Sequence, residues 1–289
     1  MKKILRNIVA MYFITCFGIC PTKAQPYIDV FNIRYCKSPD IGFFQQNKKA
    51  TELNYFNASA TVPLLFKNKK DAIIFSPYYE KWEAKIKGVS SFRKNHFGIA
   101  LPISFLKSVG SKWSVLITPI VRINDTSVNS KSKWQFGGAA LASHRSPNKK
   151  FTFKCGIYIN GDLFGLFVMP LVGVDWRINP KTNLFGVLPG SLTLEHQLKK
   201  FLYYGVAFRA FTNSYTDFSR YWRVDENQLG IFADCYLTKK IVLNIEAGHS
   251  VFRKISTGIK NGTRTDWQAN DNLYVKLALA YRIRFNNEN

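Results

Sequence analysis

Beyond its first two dozen residues the chain has no run of 18 or more apolar residues, so no segment can cross a bilayer as a helix. Hydrophobic residues still make up 46% of it, which means that the apolar content is dispersed in short stretches. Cysteine is scarce. Cys36, Cys155 and Cys235 remain after the leader described below, and an odd number is no complete disulfide framework. Each lies inside a strand-like run, where a thiol acts as a small hydrophobe. There is no C-x-x-C pair and no Cys/His cluster, so neither a structural metal nor a cofactor is expected. The glycines stand singly apart from Gly137-Gly138, and no loop of the phosphate-cradling kind occurs. Acidic residues are also few, 18 against 41 lysines and arginines.

The N-terminus explains part of that imbalance. Lys2, Lys3 and Arg6 precede an apolar stretch from Ile8 to Cys20, and Thr22-Lys23-Ala24 places small residues three and one before Gln25. This predicts a signal peptide over 1–24 and a single domain over 25–289. A lipid anchor on Cys20 is the alternative, but Ile19 stands where that processing takes a small residue. Strong basicity usually points to nucleic acid. An exported chain rarely meets it, and the basic residues here concentrate at turns, so no nucleic-acid partner is expected.

What the chain has instead is alternation. In 271–285, Leu273, Val275, Leu277, Leu279, Tyr281, Ile283 and Phe285 occupy every second position, with Tyr274, Lys276, Ala278, Ala280, Arg282 and Arg284 between them. A strand with a wholly apolar face of this length suits a bilayer, which about ten tilted residues cross. Similar runs recur at 53–65, 72–84, 92–105, 112–124, 133–144, 151–160, 165–178, 182–197, 201–212, 221–238 and 241–252. Most hold 12 or more residues, against a usual strand length of about 5–6. Long hairpins without helices predict an all-β, antiparallel, up-and-down transmembrane β-barrel of about twelve strands. Alternatively there are fourteen, if 26–36 is a strand and Leu188-Pro189-Gly190 splits 182–197. A soluble periplasmic β-barrel or sandwich is a further alternative.

Short connections are rich in lysine: 67–71, 146–150, 179–183, 199–200 and 238–240. Besides favouring solubility, such tips suit anionic lipid headgroups, each lysine contributing up to ~1 kcal/mol there. Outer-membrane lipid or lipopolysaccharide is therefore an expected partner. Aromatics crowd the ends of runs, including Trp82, Trp113, Trp134, Trp176, Tyr204 and Trp222, as in an interfacial girdle.

Alternation also assigns inward-facing charges: Lys154, Asp175, Arg177, Glu195, Arg209, Asp234, Glu246, Lys276, Arg282 and Arg284. A turn at 238–240 brings Asp234 and Glu246 onto neighbouring inner positions, with Lys276 placed to bridge them. Such charges either fill a narrow barrel as an ionic ladder or line a polar path, where an excess of cations favours a small anionic solute. A third possibility is catalysis. His144 and Ser146 are two apart on one strand, a spacing that some barrel lipid hydrolases use for base and nucleophile, but an orienting group is missing where expected, near Tyr158.

The Ala24-Gln25 junction, the segment Asn183-Leu184-Phe185-Gly186-Val187-Leu188-Pro189, the following Leu192-Thr193-Leu194-Glu195-His196 and the closing strand together resemble a family of outer-membrane β-barrel proteins of Gram-negative bacteria, of domain-of-unknown-function type. The resemblance spans nearly all of 26–285. It implies the fold and an outer-membrane location, and carries over neither activity nor functional residues. The closing strand also resembles the signal read by the barrel assembly machinery, an expected partner, although Asn286–Asn289 follow the terminal aromatic Phe285. The expectation is a non-enzymatic outer-membrane barrel, a narrow anion-preferring channel or solute-uptake protein, with a lipid-modifying hydrolase as the alternative.

Overall fold

A computed structural model of the protein describes residues 25–39, 51–68, 70–86, 93–125, 134–217, 220–259, 262–267 and 269–285. The expected leader 1–24, Lys69 and the tail 286–289 lie outside these. Among the described residues the structure is strand and turn throughout. In chain order the strands are β1 (Tyr27–Ser38), β2 (Thr51–Ala60), β3 (Val62–Leu65), β4 (Ala72–Phe75), β5 (Tyr78–Ile86), β6 (Arg93–Val109), β7 (Trp113–Asp125), β8 (Trp134–Arg145) and β9 (Phe151–Asp162). They continue as β10 (Gly165–Asn179), β11 (Thr182–Leu188), β12 (Ser191–Lys199), β13 (Leu202–Asp217), β14 (Arg220–Tyr236), β15 (Ile241–Gly258), β16 (Arg264–Trp267) and β17 (Leu273–Arg284).

All belong to one antiparallel sheet that closes on itself. β2 with β3, and β4 with β5, are single staves interrupted for a residue or two, and β16 is a short ribbon paired with the far end of β15. The wall therefore has fourteen staves. β17 seals it against β1, Tyr27 opposite Arg284 and Lys37 opposite Val275.

Fourteen replaces the favoured count of twelve for two reasons. Residues 27–38 are wall, not a lead-in. The run 182–197 is two staves, β11 and β12, and partners across their turn have equal parity, as in Leu184 opposite Leu194. Alternation thus passes through the turn without a break in phase and hides it. Gly186 is required in this hairpin: its φ is +146° and a Cβ would lie 2.2 Å from the Ser191 carbonyl oxygen.

The two faces separate cleanly. Leu273, Val275, Leu277, Leu279 and Tyr281 of β17 are exposed, while Tyr274, Lys276, Ala278, Ala280 and Arg282 are buried. Phe31, Ile33 and Tyr35 continue the apolar exterior on one side and Ile245 on the other. Trp113, Trp176 and Tyr204 stand outward near the end where β1 begins, and Trp134 and Phe136 stand outward near the opposite end. Trp82 and Trp222 depart from the expected girdle. Their parity is inward, and both are completely buried in the lumen.

Among the described residues, the short turns at the end where β1 begins and β17 finishes carry ten exposed lysines: Lys67, Lys70, Lys112, Lys149, Lys150, Lys181, Lys199, Lys200, Lys239 and Lys240. The Lys240 ammonium lies 5.5 Å from the Tyr281 ring centroid and that of Lys199 5.9 Å from Phe201. Both ammonium groups thus stand within cation–π range of a ring.

Candidate functional site: the lumen

The expected inward charges do converge, and they meet as pairs. Near the end that carries the lysine turns, Lys154 binds Asp175 at 2.6 Å, and Arg284 holds both oxygens of Glu195, at 2.8 and 2.9 Å. Arg282 reaches Asp234 at 2.6 Å and Asp29 at 2.5 Å. Farther in, Arg209 donates to both oxygens of Glu246, at 2.7 and 2.8 Å, and Tyr274 and Lys276 donate to the same carboxylate. Lys276 does not bridge Asp234 and Glu246. In the register of β14 on β15, Asp234 sits opposite Asn244 and Glu246 opposite Phe232, and Arg282 takes Asp234 instead. Arg177, two residues beyond Asp175, is half-buried near the end of β10.

Rings fill the space between the charges. The Arg282 guanidinium lies 3.6 Å from the Tyr27 ring centroid and Arg284 lies 3.8 Å from that of Tyr203. Asp29 and Tyr27 escape a reading that leaves β1 out of the wall, yet β1 is what brings them against β17.

A second layer holds Arg253 and Glu226, joined by Nε to Oε2 at 2.6 Å and Nη2 to Oε1 at 2.8 Å, with no exposure of either side chain. Arg253 also donates to Ser38 Oγ at 2.8 Å. Beside it is an aromatic cluster. Tyr55 and Trp82 are 4.1 Å apart, and His96 stacks on Trp222 at 4.4 Å and on Tyr215 at 5.3 Å. Glu80 is buried there and accepts from Tyr215 at 2.7 Å, Asn213 at 2.8 Å and Tyr55 at 3.3 Å. Alternation marks Glu80 between Tyr78 and Trp82, and Arg122 between Val121 and Ile123, so the same signal was available for both.

The upper half of β13, still paired with β14, bends inward until it meets β7 across the lumen. Asn213, Ser214, Tyr215 and Thr216 are all buried, which a strand with one face outward cannot achieve. Arg122 donates to Asn213 at 2.9 Å, and the Ser214 carbonyl accepts from Asn124 at 2.9 Å and Gln135 at 3.3 Å. Ser214 Oγ in turn donates to Asp162. Beneath this crossing lies a cavity of about 430 Å³, bordered by Arg34, Tyr55, Tyr78, Arg122, Tyr158 and Phe211 among others. That size falls within the ~300–1,000 Å³ usual for small-molecule sites.

His144 and Ser146 are placed apart from all of this. The His144 ring lies 4.6 Å from Trp113, and its cross-strand neighbour on β9 is Phe153, not Tyr158. The Ser146 hydroxyl serves the turn: it donates to Asn148 at 2.6 Å and accepts from the Phe151 N–H at 3.1 Å.

Comparison with solved structures returns barrels of low identity. An outer membrane channel from Pseudomonas putida F1 matches at 10% identity over 90% of this chain and 97% of that one, with a TM-score of 0.45. The NanC porin matches at 8% over 88% and 100%, with a TM-score of 0.38. The translocator domain of the autotransporter NalP from Neisseria meningitidis matches at 10% over 97% and 98%, with a TM-score of 0.40. No curated protein matches. A family model does, across residues 24–285, so the chain belongs to the family described as Domain of unknown function (DUF6268).

Proposed function

We propose that the protein is a non-enzymatic outer-membrane barrel that holds and takes up a small solute, and that it is not a water-filled pore. The observation that carries this is the pairing of the lumen charges. Six cations (Lys154, Arg209, Arg253, Lys276, Arg282 and Arg284) meet six carboxylates (Asp29, Asp175, Glu195, Glu226, Asp234 and Glu246). Paired in this way these twelve groups leave no net charge among themselves to draw anions past them, and their side chains occupy the path. The anion-selective channel is therefore the weaker reading, and the ionic filling of a narrow barrel the stronger one.

The apolar exterior, with aromatics outward at both ends, supports a membrane location. The lysine turns then face the periplasm, as short turns of such barrels do, within reach of lipid phosphates. The hydroxyl of Ser146 is engaged in its own turn, which disfavours a lipid hydrolase.

Liposome swelling tests the proposal. Vesicles carrying the folded protein are expected to swell in isosmotic arabinose no faster than empty vesicles. Swelling at the rate of a general porin would overturn it.

A further inference from the structure

The barrel wall is interrupted. β11 and β12 have 7 and 9 residues, and their hairpin turns at Pro189-Gly190, well short of the strands on either side. β10 pairs with β11 only from Val172 to Asn179, and β13 pairs with β12 only from Leu202 to Arg209. Above the hairpin, Gly165–Leu171 of β10 keep only β9 as a strand neighbour, and Phe211–Thr216 of β13 keep only β14. Among the described residues no strand lies between these two edges. Pro170 sits on the unpaired stretch of β10, and proline in a strand is tolerated where one edge lacks a partner. Seven residues at about 3.3 Å each make the gap about 20 Å long on the β10 side, and the three residues between Ala210 and Ser214 make it about 10 Å on the β13 side.

Its upper end is closed. The Leu163 N–H donates to Ser214 Oγ at 3.1 Å, and the Phe164 ring lies 4.0 Å from the Arg223 guanidinium. The gap is thus a framed window, with the β11–β12 turn as its sill and the β9–β10 turn as its lintel.

The cavity passes through this window. On β13 the inward side chains are Phe211 and Asn213, the outward ones Ala210 and Thr212, and all four border it. So does Asn227, on the outward parity of β14 shared by the exposed Leu229 and Ile231. A space bordered by both faces of one strand must run past that strand's edge. It joins the lumen beside Arg34 to the barrel exterior, where the apolar belt meets lipid.

The chemistry changes along its length. At the window the inner side chains of β10 are Phe167, Met169 and Leu171, apolar where the lumen below is charged. At the inner end are Arg34 and Arg122, and the Nε of each is buried without a hydrogen-bond partner. Glu80 is the sole carboxylate among the described lining residues, with its oxygens already taken by Tyr215, Asn213 and Tyr55. Along the lining itself two guanidiniums face one carboxylate, with Asp162 set behind Arg122 outside it.

We propose that the window is a lateral portal for a small amphiphile with an apolar tail and a single anionic head. The tail lies on Phe167, Met169, Leu171 and Phe211, the head at Arg34 and Arg122, and the molecule crosses between bilayer and lumen sideways. This deepens the solute-barrel reading and rests on it.

The test is binding of radiolabelled decanoate to the full-length protein in nanodiscs, corrected against empty nanodiscs, with decanol as the neutral analogue. Saturable binding is expected. Arg34→Met should weaken decanoate about tenfold, the scale of one charge-assisted hydrogen bond, and leave decanol nearly unchanged. Met169→Trp and Ala210→Trp fill the window and should slow uptake of both. Val206→Trp, outward on β13 below the sill, should not. Each variant is first shown to keep the heat-modifiable mobility of the folded barrel. Absence of saturable decanoate binding, or uptake at the wild-type rate in both window variants, overturns the portal. Displacement of decanoate by dioctanoyl phosphatidylglycerol but not by decanol assigns the site to a bilayer lipid and overturns the small-solute assignment. Either failure in a barrel that conducts no ions removes the portal alone, whereas ion conduction by the wild type removes the reading beneath it.

Discussion

Arg253→Met breaks the most deeply buried ion pair and leaves Glu226 charged in a site from which water is excluded. Breaking a buried pair from one side costs about 3–5 kcal/mol, because the remaining charge has lost its compensation. The geometry places this pair at the upper end of that range, since two short hydrogen bonds are lost and neither side chain has any exposure. Removing both partners behaves differently. In Arg253→Met/Glu226→Leu no charge is stranded, and such replacements are often neutral or stabilising by about 1–4 kcal/mol. Ser38 Oγ keeps its bond to the Leu273 carbonyl at 2.9 Å, so the double variant leaves little unsatisfied. The assay is equilibrium unfolding in urea in short-chain phosphatidylcholine vesicles, followed by tryptophan fluorescence, because Trp222 lies four residues from Glu226 on the same inward face. The single variant should lose at least about 3 kcal/mol and the double should recover most of it. A single-variant loss below about 1 kcal/mol, or a double equal to the sum of the singles, would refute the claim that this pair is buried and coupled.

Three further outcomes are expected. The Asp71 carboxyl, in the β3–β4 turn, is held down to about 2 by Lys107, the Ser108 N–H and Asn68. Because its folded value is depressed, its contribution to stability is present above about pH 4 and lost as the pH falls toward 2; unfolding midpoints at pH 5 and 2.5 should differ less in Asp71→Asn than in the wild type. Gly186→Val, which forces a Cβ against the Ser191 carbonyl at a φ of +146°, should lower the yield of folded barrel on gels with unheated samples, a strain of about 1–3 kcal/mol before the clash is counted. Replacing Lys149, Lys150, Lys199, Lys200, Lys239 and Lys240 with glutamine should abolish any gain in folded-state stability that phosphatidylglycerol gives over phosphatidylcholine vesicles; an undiminished gain would show that the lysine turns do not meet lipid phosphate.

Some of this architecture is legible in the residues alone, and the limits have physical causes. β17 announces its two faces because its apolar side is uninterrupted, and the lower ion pairs follow from parity. The partner of each charge does not follow. Pairing Asp234 with Arg282 depends on closure of the barrel, which puts β17 between β1 and β15. The division between β11 and β12 is hidden by alternation that stays in phase through a tight turn, so the window above it is hidden too. Trp82 and Trp222 look interfacial from their positions near run ends, but their parity sends them inward. The turn of β13 into the lumen leaves no periodic trace, because a strand covered on both faces needs no alternation. Its buried Asn213 and Ser214 are the only local mark, and polar residues in a strand read equally well as lumen lining.

The central claim is that the lumen is filled by its own paired charges. Single-channel recording in planar bilayers tests it most directly, using full-length protein whose heat-modifiable mobility shows it to be folded. The wild type is expected to show no discrete conductance steps at any moderate voltage. Regular steps with a reversal potential toward anions would contradict it and show the six cations to be free to line a pore.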